Sequence, residues 1–157
     1  MMFRTALRWI LLACFGAPPA AWAAGDMSSL PSFHALTSEQ PIVICLQLPA
    51  EQIQRLKAGD RRLVLVVEQY QPPRNASAGL YVIAPSRANR LASAARIGIY
   101  PDQPSGNAQL RFLLHPSEYA DAFQADRVCL SVGFYRTTEI PRGGKASVGL
   151  DLADTPS

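Results

Sequence analysis

Arg62-Leu63-Val64-Leu65-Val66-Val67-Glu68-Gln69 is the stretch on which the fold turns. Five apolar residues run without interruption, three of them β-branched, between charged and polar ends. A short run of this composition predicts a strand, the clearest in the chain. Just upstream, Pro49 to Lys57 predicts a short helix: proline suits a first turn, Ile53 and Leu56 share a face, and Gly59 fits just past the C-terminus. Before that helix, Pro41 to Leu48 carries Ile42-Val43-Ile44 and reads as a buried strand.

Downstream, Gln71 to Ala78 reads as a loop through Pro72, Pro73 and Asn75. Leu80-Tyr81-Val82-Ile83 is the next strand, ended by Pro85. Ser86 to Ala94 is polar and alanine-rich and has no assigned structure. Ala95 to Tyr100 and Gln109 to Leu114 are strands around a turn-rich loop at Pro101 to Asn107. Pro116 to Phe123 predicts a second helix capped by Ser117, with Tyr119, Ala120 and Phe123 on one side. Arg127 to Tyr135 alternates, with Val128, Leu130, Val132 and Phe134 on one face and Cys129, Ser131 and Gly133 on the other. Lys145 to Leu152 closes the set. About seven strands with one or two short helices predict an all-β, mainly antiparallel, β-sandwich or jelly-roll-like single domain over 41–153. Residues 24–40 form an extended N-terminal lead-in and 154–157 a C-terminal tail.

The first 23 residues have a different character. Arg4 and Arg8 precede an apolar run from Trp9 to Gly16; Pro18 and Pro19 follow, and Ala21-Trp22-Ala23 offers small residues for cleavage. That order defines a cleavable signal peptide, with a mature chain from Ala24 to Ser157. A transmembrane anchor requires roughly 20 apolar residues, and two prolines interrupt this shorter run. Leu11-Leu12-Ala13-Cys14 has the form of a lipoprotein site at Cys14. That reading is disfavoured because the apolar stretch between Arg8 and Cys14 falls short of the usual ~7–15 residues. The expected location is periplasmic or extracellular.

Export changes how charge and cysteine are read. The chain has 15 Lys+Arg against 12 Asp+Glu. Removal of Arg4 and Arg8 leaves 13 against 12, so no basic stripe for nucleic acid remains. Arg61-Arg62 and Arg142 to Lys145 read as solvated edge charges. Cys45 and Cys129 remain in an oxidising compartment, which favours a disulfide over two separate buried thiols. Such a bridge would close about 84 residues and contribute roughly 4 kcal/mol.

No catalytic constellation is apparent in the chain. His34 and His115 are the only histidines, and a zinc site generally needs three or four ligands. No G-x-S-x-G elbow occurs. Gly143-Gly144-Lys145-Ala146 lacks the Ser or Thr of a phosphate loop and precedes a strand. Glu118 and Asp121 read as a solvated helix face, and Asn75-Ala76-Ser77 as a glycosylation acceptor only in a host that uses one. No catalytic residue, metal or cofactor is expected. Tyr81, Tyr100 and Tyr135 are the candidate partner or ligand contacts.

Over roughly residues 61–152 the order of elements resembles the C-terminal β-sandwich, or shielding, domain of polyphenol oxidases and tyrosinase-like proteins. The matching stretches are Leu63 to Glu68, Leu80 to Ile83, Ile97-Gly98-Ile99-Tyr100-Pro101, Leu110-Arg111-Phe112, Val128 to Val132 and Ala146 to Leu152. The Lys-Phe-Asp-Val motif of the plant domains is replaced by Leu80-Tyr81-Val82-Ile83, and no oxidase domain is present. In that family the domain covers a dicopper site and keeps the enzyme latent. The resemblance therefore implies a free-standing, non-catalytic domain that covers or assists an exported copper oxidase in trans. The alternatives are a small-ligand-binding module, which requires a concave apolar pocket, and an enzyme of unrecognised type.

Overall fold

A computed structural model describes residues 31–74, 79–99, 108–135 and 141–155. The expected signal peptide, Cys14, the Asn75 acceptor and Tyr100 lie outside these residues. Eight strands are described: β1 (His34–Thr37), β2 (Ile42–Gln47), β3 (Arg61–Gln71), β4 (Gly79–Ile83), β5 (Ala95–Gly98), β6 (Leu110–Leu113), β7 (Arg127–Phe134) and β8 (Lys145–Asp154). They form two antiparallel four-stranded sheets, in the orders β1-β8-β3-β6 and β2-β7-β4-β5. The chain is thus an all-β sandwich. The strand additional to the seven expected is β1. It comes from the end of the lead-in and pairs with β8 at the edge of the first sheet.

Alternation builds the core. Leu63, Leu65 and Val67 of β3 and Val148 and Leu150 of β8 face Ile44, Leu80, Val82, Leu130 and Val132 of the other sheet in one buried cluster. Removal of this apolar surface from water is the main stabilising contribution, roughly 25 cal/mol per Å² buried. β3 is central to its sheet, paired with β6 on one side and β8 on the other. Val64 and Val66 on its outer face are also buried. Beside them the Arg111 guanidinium reaches Asp151 at 2.7 Å from the opposite neighbouring strand.

The strand continues past Gln69, where the sequence places its end. A one-residue register shift between Glu68 and Gln71 marks a β-bulge, and Gln69 adopts φ 50. An extra residue reverses the facing parity. Tyr70 consequently points inward and stacks on Phe134 at 5.9 Å between ring centroids.

Helix α1 (Ala50–Ala58) buries Ile53 and Leu56 and ends on Gly59, whose φ of 88 is left-handed. Only glycine adopts that conformation without steric cost. The second helix, α2 (Pro116–Tyr119), is capped differently from expectation. His115, rather than Ser117, is its N-cap: the imidazole accepts from the Ser117 N–H, and the Glu118 carboxylate accepts from the His115 N–H at 2.7 Å. Pro116 occupies the first helical position, so the cap falls at His115, two residues before Ser117. Residues 86–94, unassigned from sequence, include parts of two short 3₁₀ turns, Pro85–Arg87 and Leu91–Ser93.

The Arg61-Arg62 pair departs from the solvated-edge expectation. Arg61 Nε donates to Asp154 at 2.9 Å and its Nη1 to Gln52 at 3.1 Å, which ties β3, β8 and α1 together. The guanidinium holds the Asp154 carboxyl below its ordinary value by hydrogen bonding and charge.

Gly79 sits opposite Gly98 where β4 meets β5. A Cβ there would lie 2.7 Å from the Ile97 carbonyl oxygen, a backbone atom that cannot swing aside. Gly79→Ala is therefore expected to separate β5 from β4 and destabilise the protein by about 1–3 kcal/mol, the usual cost of overpacking. Amide exchange at residues 95–98 checks it: unchanged protection there would refute the steric argument.

Candidate functional site

Parity places the chemistry on the outer face of the second sheet. Ile44, Leu46, Val128, Leu130, Val82 and Leu80 turn inward, so Val43, Cys45, Cys129, Ser131, Gly133, Tyr81 and Ile83 turn outward. Cys45 and Cys129 stand directly opposite each other on β2 and β7, with Cα atoms 4.1 Å apart and sulfurs at bonding distance, 2.13 Å. The expected pair is thus a cross-strand bridge. Cys129 is 3% exposed, whereas Cys45 is open to solvent.

Of the three tyrosines singled out in the sequence, two share this face. Tyr81 lies between Arg96 of β5 and Gly133 of β7. Its ring occupies the space above Gly133, where a Cβ would come within 2.6 Å of the ring atoms. Packed this way, Tyr81 is only 7% exposed and offers little area to a partner. Tyr135 is half-buried, and the Arg96 guanidinium lies 4.4 Å above its ring, a cation–π contact. The third, Tyr100, is outside the described residues.

Val43 escaped the sequence reading. It is 57% exposed, beside the disulfide on the same face. The signal was available as an apolar residue at an outward parity, but its exposure depends on β2 being an edge strand, which only the tertiary structure decides.

A small polar cavity lies at the end of β4, lined by Ala84, Arg87, Ser93, Ser117, Glu118 and Asp121 among others. Its volume is about 30 Å³, room for one or two waters. Pockets for organic ligands measure about 300–1,000 Å³. Arg87 and Asp121 form an ion pair there, and Glu118 is engaged in the α2 cap. The carboxylates at this position thus have structural partners. Among the described residues no group of three or more His, Cys, Asp and Glu side chains is placed to hold a metal ion. No helix among them is long and apolar enough to cross a membrane.

Two buried phenols carry the clearest perturbed acidities. Burial pushes the Tyr70 and Tyr119 hydroxyls above their ordinary value of 10.0, offset in part by the backbone of Gly79 and Leu63 respectively. Neither hydroxyl completes a well-formed hydrogen bond among the described residues. The folded state therefore resists an ionisation that the unfolded chain undergoes near pH 10. That stability is fully present below about pH 10 and is lost as pH rises through the folded values. Unfolding by urea at about pH 8 and about pH 11 is expected to show a fall that Tyr70→Phe with Tyr119→Phe reduces. An identical fall in the double variant would assign it to other groups.

The fold and this face define a class: a disulfide-bridged, all-β sandwich with an outward apolar strip on one sheet. The chain matches no protein-family model, no curated protein and no solved structure.

Proposed function

We propose that the chain is an exported, non-catalytic interaction domain that docks another exported protein through the outer face of the β2-β7-β4-β5 sheet. One observation carries this reading: the exposed residues Val43 and Cys45 give that face an apolar strip. Tyr135 and Arg96 lie on the same face. The bridge supports export, since such pairs persist in oxidising compartments. The Arg4-to-Ala23 segment has the order of a signal peptide. The resemblance to shielding domains suggests a copper oxidase as the partner, covered or assisted in trans.

Site-specific photo-crosslinking in the native host tests this. A photoreactive residue at position 43 or 135 is expected to capture one discrete exported protein. The same probe at exposed position 113, on the opposite sheet, is expected to capture none. Equal capture from both sheets, or none from either, would remove the proposal. If the captured protein is a copper oxidase, adding the purified domain should lower or restore its activity. An enzyme indifferent to the domain would end the shielding reading.

A further inference from the structure

We infer that the free edge of β2 is a strand-docking site for an extended, uncharged segment of an exported polypeptide. This rests on the interaction-domain reading above and specifies the chemistry of the partner.

The hydrogen-bond parity of β2 is the first observation. Leu48 N donates to Asp126 O at 2.9 Å, in the register that pairs Ile42 with Val132 and Ile44 with Leu130. Hydrogen-bonded and non-hydrogen-bonded pairs alternate along an antiparallel ladder. The even positions 42, 44, 46 and 48 therefore bond to β7. Cys45 opposite Cys129 occupies a non-hydrogen-bonded pair, in keeping with their 4.1 Å Cα separation. The amides and carbonyls of Val43, Cys45 and Gln47 consequently point away from β7. Among the described residues no other strand of the sheet lies on that side, and the backbone groups of these three make no hydrogen bond outside the ladders.

The second observation is how the four sheet edges differ. β1, β5 and β6 are each four residues long, and β5 and β6 carry Arg96 and Arg111. Short length and charge are the usual devices that keep an edge from pairing with another chain. β2 has neither. It is six residues long, Ile42-Val43-Ile44-Cys45-Leu46-Gln47, without charge or internal proline. Pro41 and Pro49 bound it, which sets the docked segment at about six residues, or ~20 Å.

The side chains flanking this edge are apolar on the inner face and, up to Gln47, on the outer face as well. Val43 and Cys45 stand on the outer face, while Ile42 and Leu46 are half-buried against the core. An added strand would meet both with alternate residues. The bridge to Cys129 fastens the accepting strand to β7, so that the edge remains in place when a guest pairs with it.

Area decides the occupant. A standard interface takes about 20–30 residues and ~800 Å² from each partner, so a six-residue edge supplies only about a quarter. That is too little for two rigid copies meeting edge to edge. A flexible guest can follow the whole edge and gain its affinity from main-chain hydrogen bonds.

The test uses the oxidised protein and a capped peptide alternating valine and threonine over seven residues, with a lysine at each end for solubility. Binding is followed by NMR. Shifts are expected at residues 43, 45 and 47. Val43→Pro deletes one outward N–H while leaving the β7 ladder intact, and Val43→Lys adds an edge charge; each is expected to weaken binding by about tenfold or more. A peptide N-methylated at the edge-facing amides should not bind. Undiminished binding by either variant or by the methylated peptide, or shifts confined elsewhere, overturns the proposal. Sedimentation that detects a dimer abolished by Val43→Pro would assign the edge to a second copy instead, and would also overturn it. If crosslinking from position 43 or 135 still captures a partner while the peptide fails to bind, docking through the face stands and strand addition falls.

Discussion

Replacing Cys45 and Cys129 together by alanine is expected to lower the free energy of unfolding by roughly 4 kcal/mol. The two cysteines are 84 residues apart in sequence, and the cost of closing so long a loop is borne by the unfolded ensemble of the bridged protein. Without the bridge that ensemble regains its freedom while the folded state loses only a local link. Domains of this size are stable by about 5–15 kcal/mol, so the change removes a large share of the total. The loss should also be local in character. Among the described residues β2 is an edge strand whose one ladder partner is β7, and its amides should exchange faster than those of β3. Denaturant unfolding of the oxidised, reduced and double-alanine forms measures the effect. A difference below about 1 kcal/mol would mean that the unfolded chain is already constrained near these residues.

Leu65→Ala is expected to cost about 2–5 kcal/mol. Leu65 is fully buried at the centre of β3, opposite Phe112 on one side and Leu150 on the other. Truncation removes its transfer free energy and leaves a cavity that strands paired on both flanks cannot collapse to fill. The control is Leu113→Ala. Leu113 pairs with Val64 on β3 but is 55% exposed on the outer face, and exposed positions commonly change stability by no more than about 0.5 kcal/mol. Equal losses at the two positions would show that the core packs more loosely than the buried cluster implies.

The two leucines also show how far the sequence could be read. The run from Leu63 to Val67 is apolar at every position, so its strand character is plain. Which neighbours cover its second face is not. Alternation along β7 separates Val128, Leu130, Val132 and Phe134 from Cys129, Ser131 and Gly133, and the structure keeps that division. Helix α1 follows the same logic, because Pro49, Ile53, Leu56 and Gly59 are local signals. Where local signals conflict, the reading shifts by two residues: Ser117 is a good cap in isolation, but Pro116 moves the cap to His115. The bulge at Gln69 has no local sequence signature, since a left-handed glutamine is chosen by the pairing of β3 with β8 and by the stacking of Tyr70 on Phe134. Tyr81 shows the same limit at the candidate site. As a tyrosine on a strand it is an ordinary contact residue, yet Gly133 on a strand 52 positions away leaves a space that its ring fills.

The sequence by itself determined seven of the eight described strands, the helix after Pro49 and, away from the bulge at Gln69, which strand residues share a face, because these depend on periods of two and 3.6 residues along the chain. It also determined that two cysteines fall on such strands. Only the tertiary structure decided that those strands adjoin, that β2 lies at an edge and β3 at a centre, and that the amides of Val43, Cys45 and Gln47 point away from β7. Neighbourhood in a sheet is fixed by the best mutual burial of all the strands at once. No segment carries that information alone.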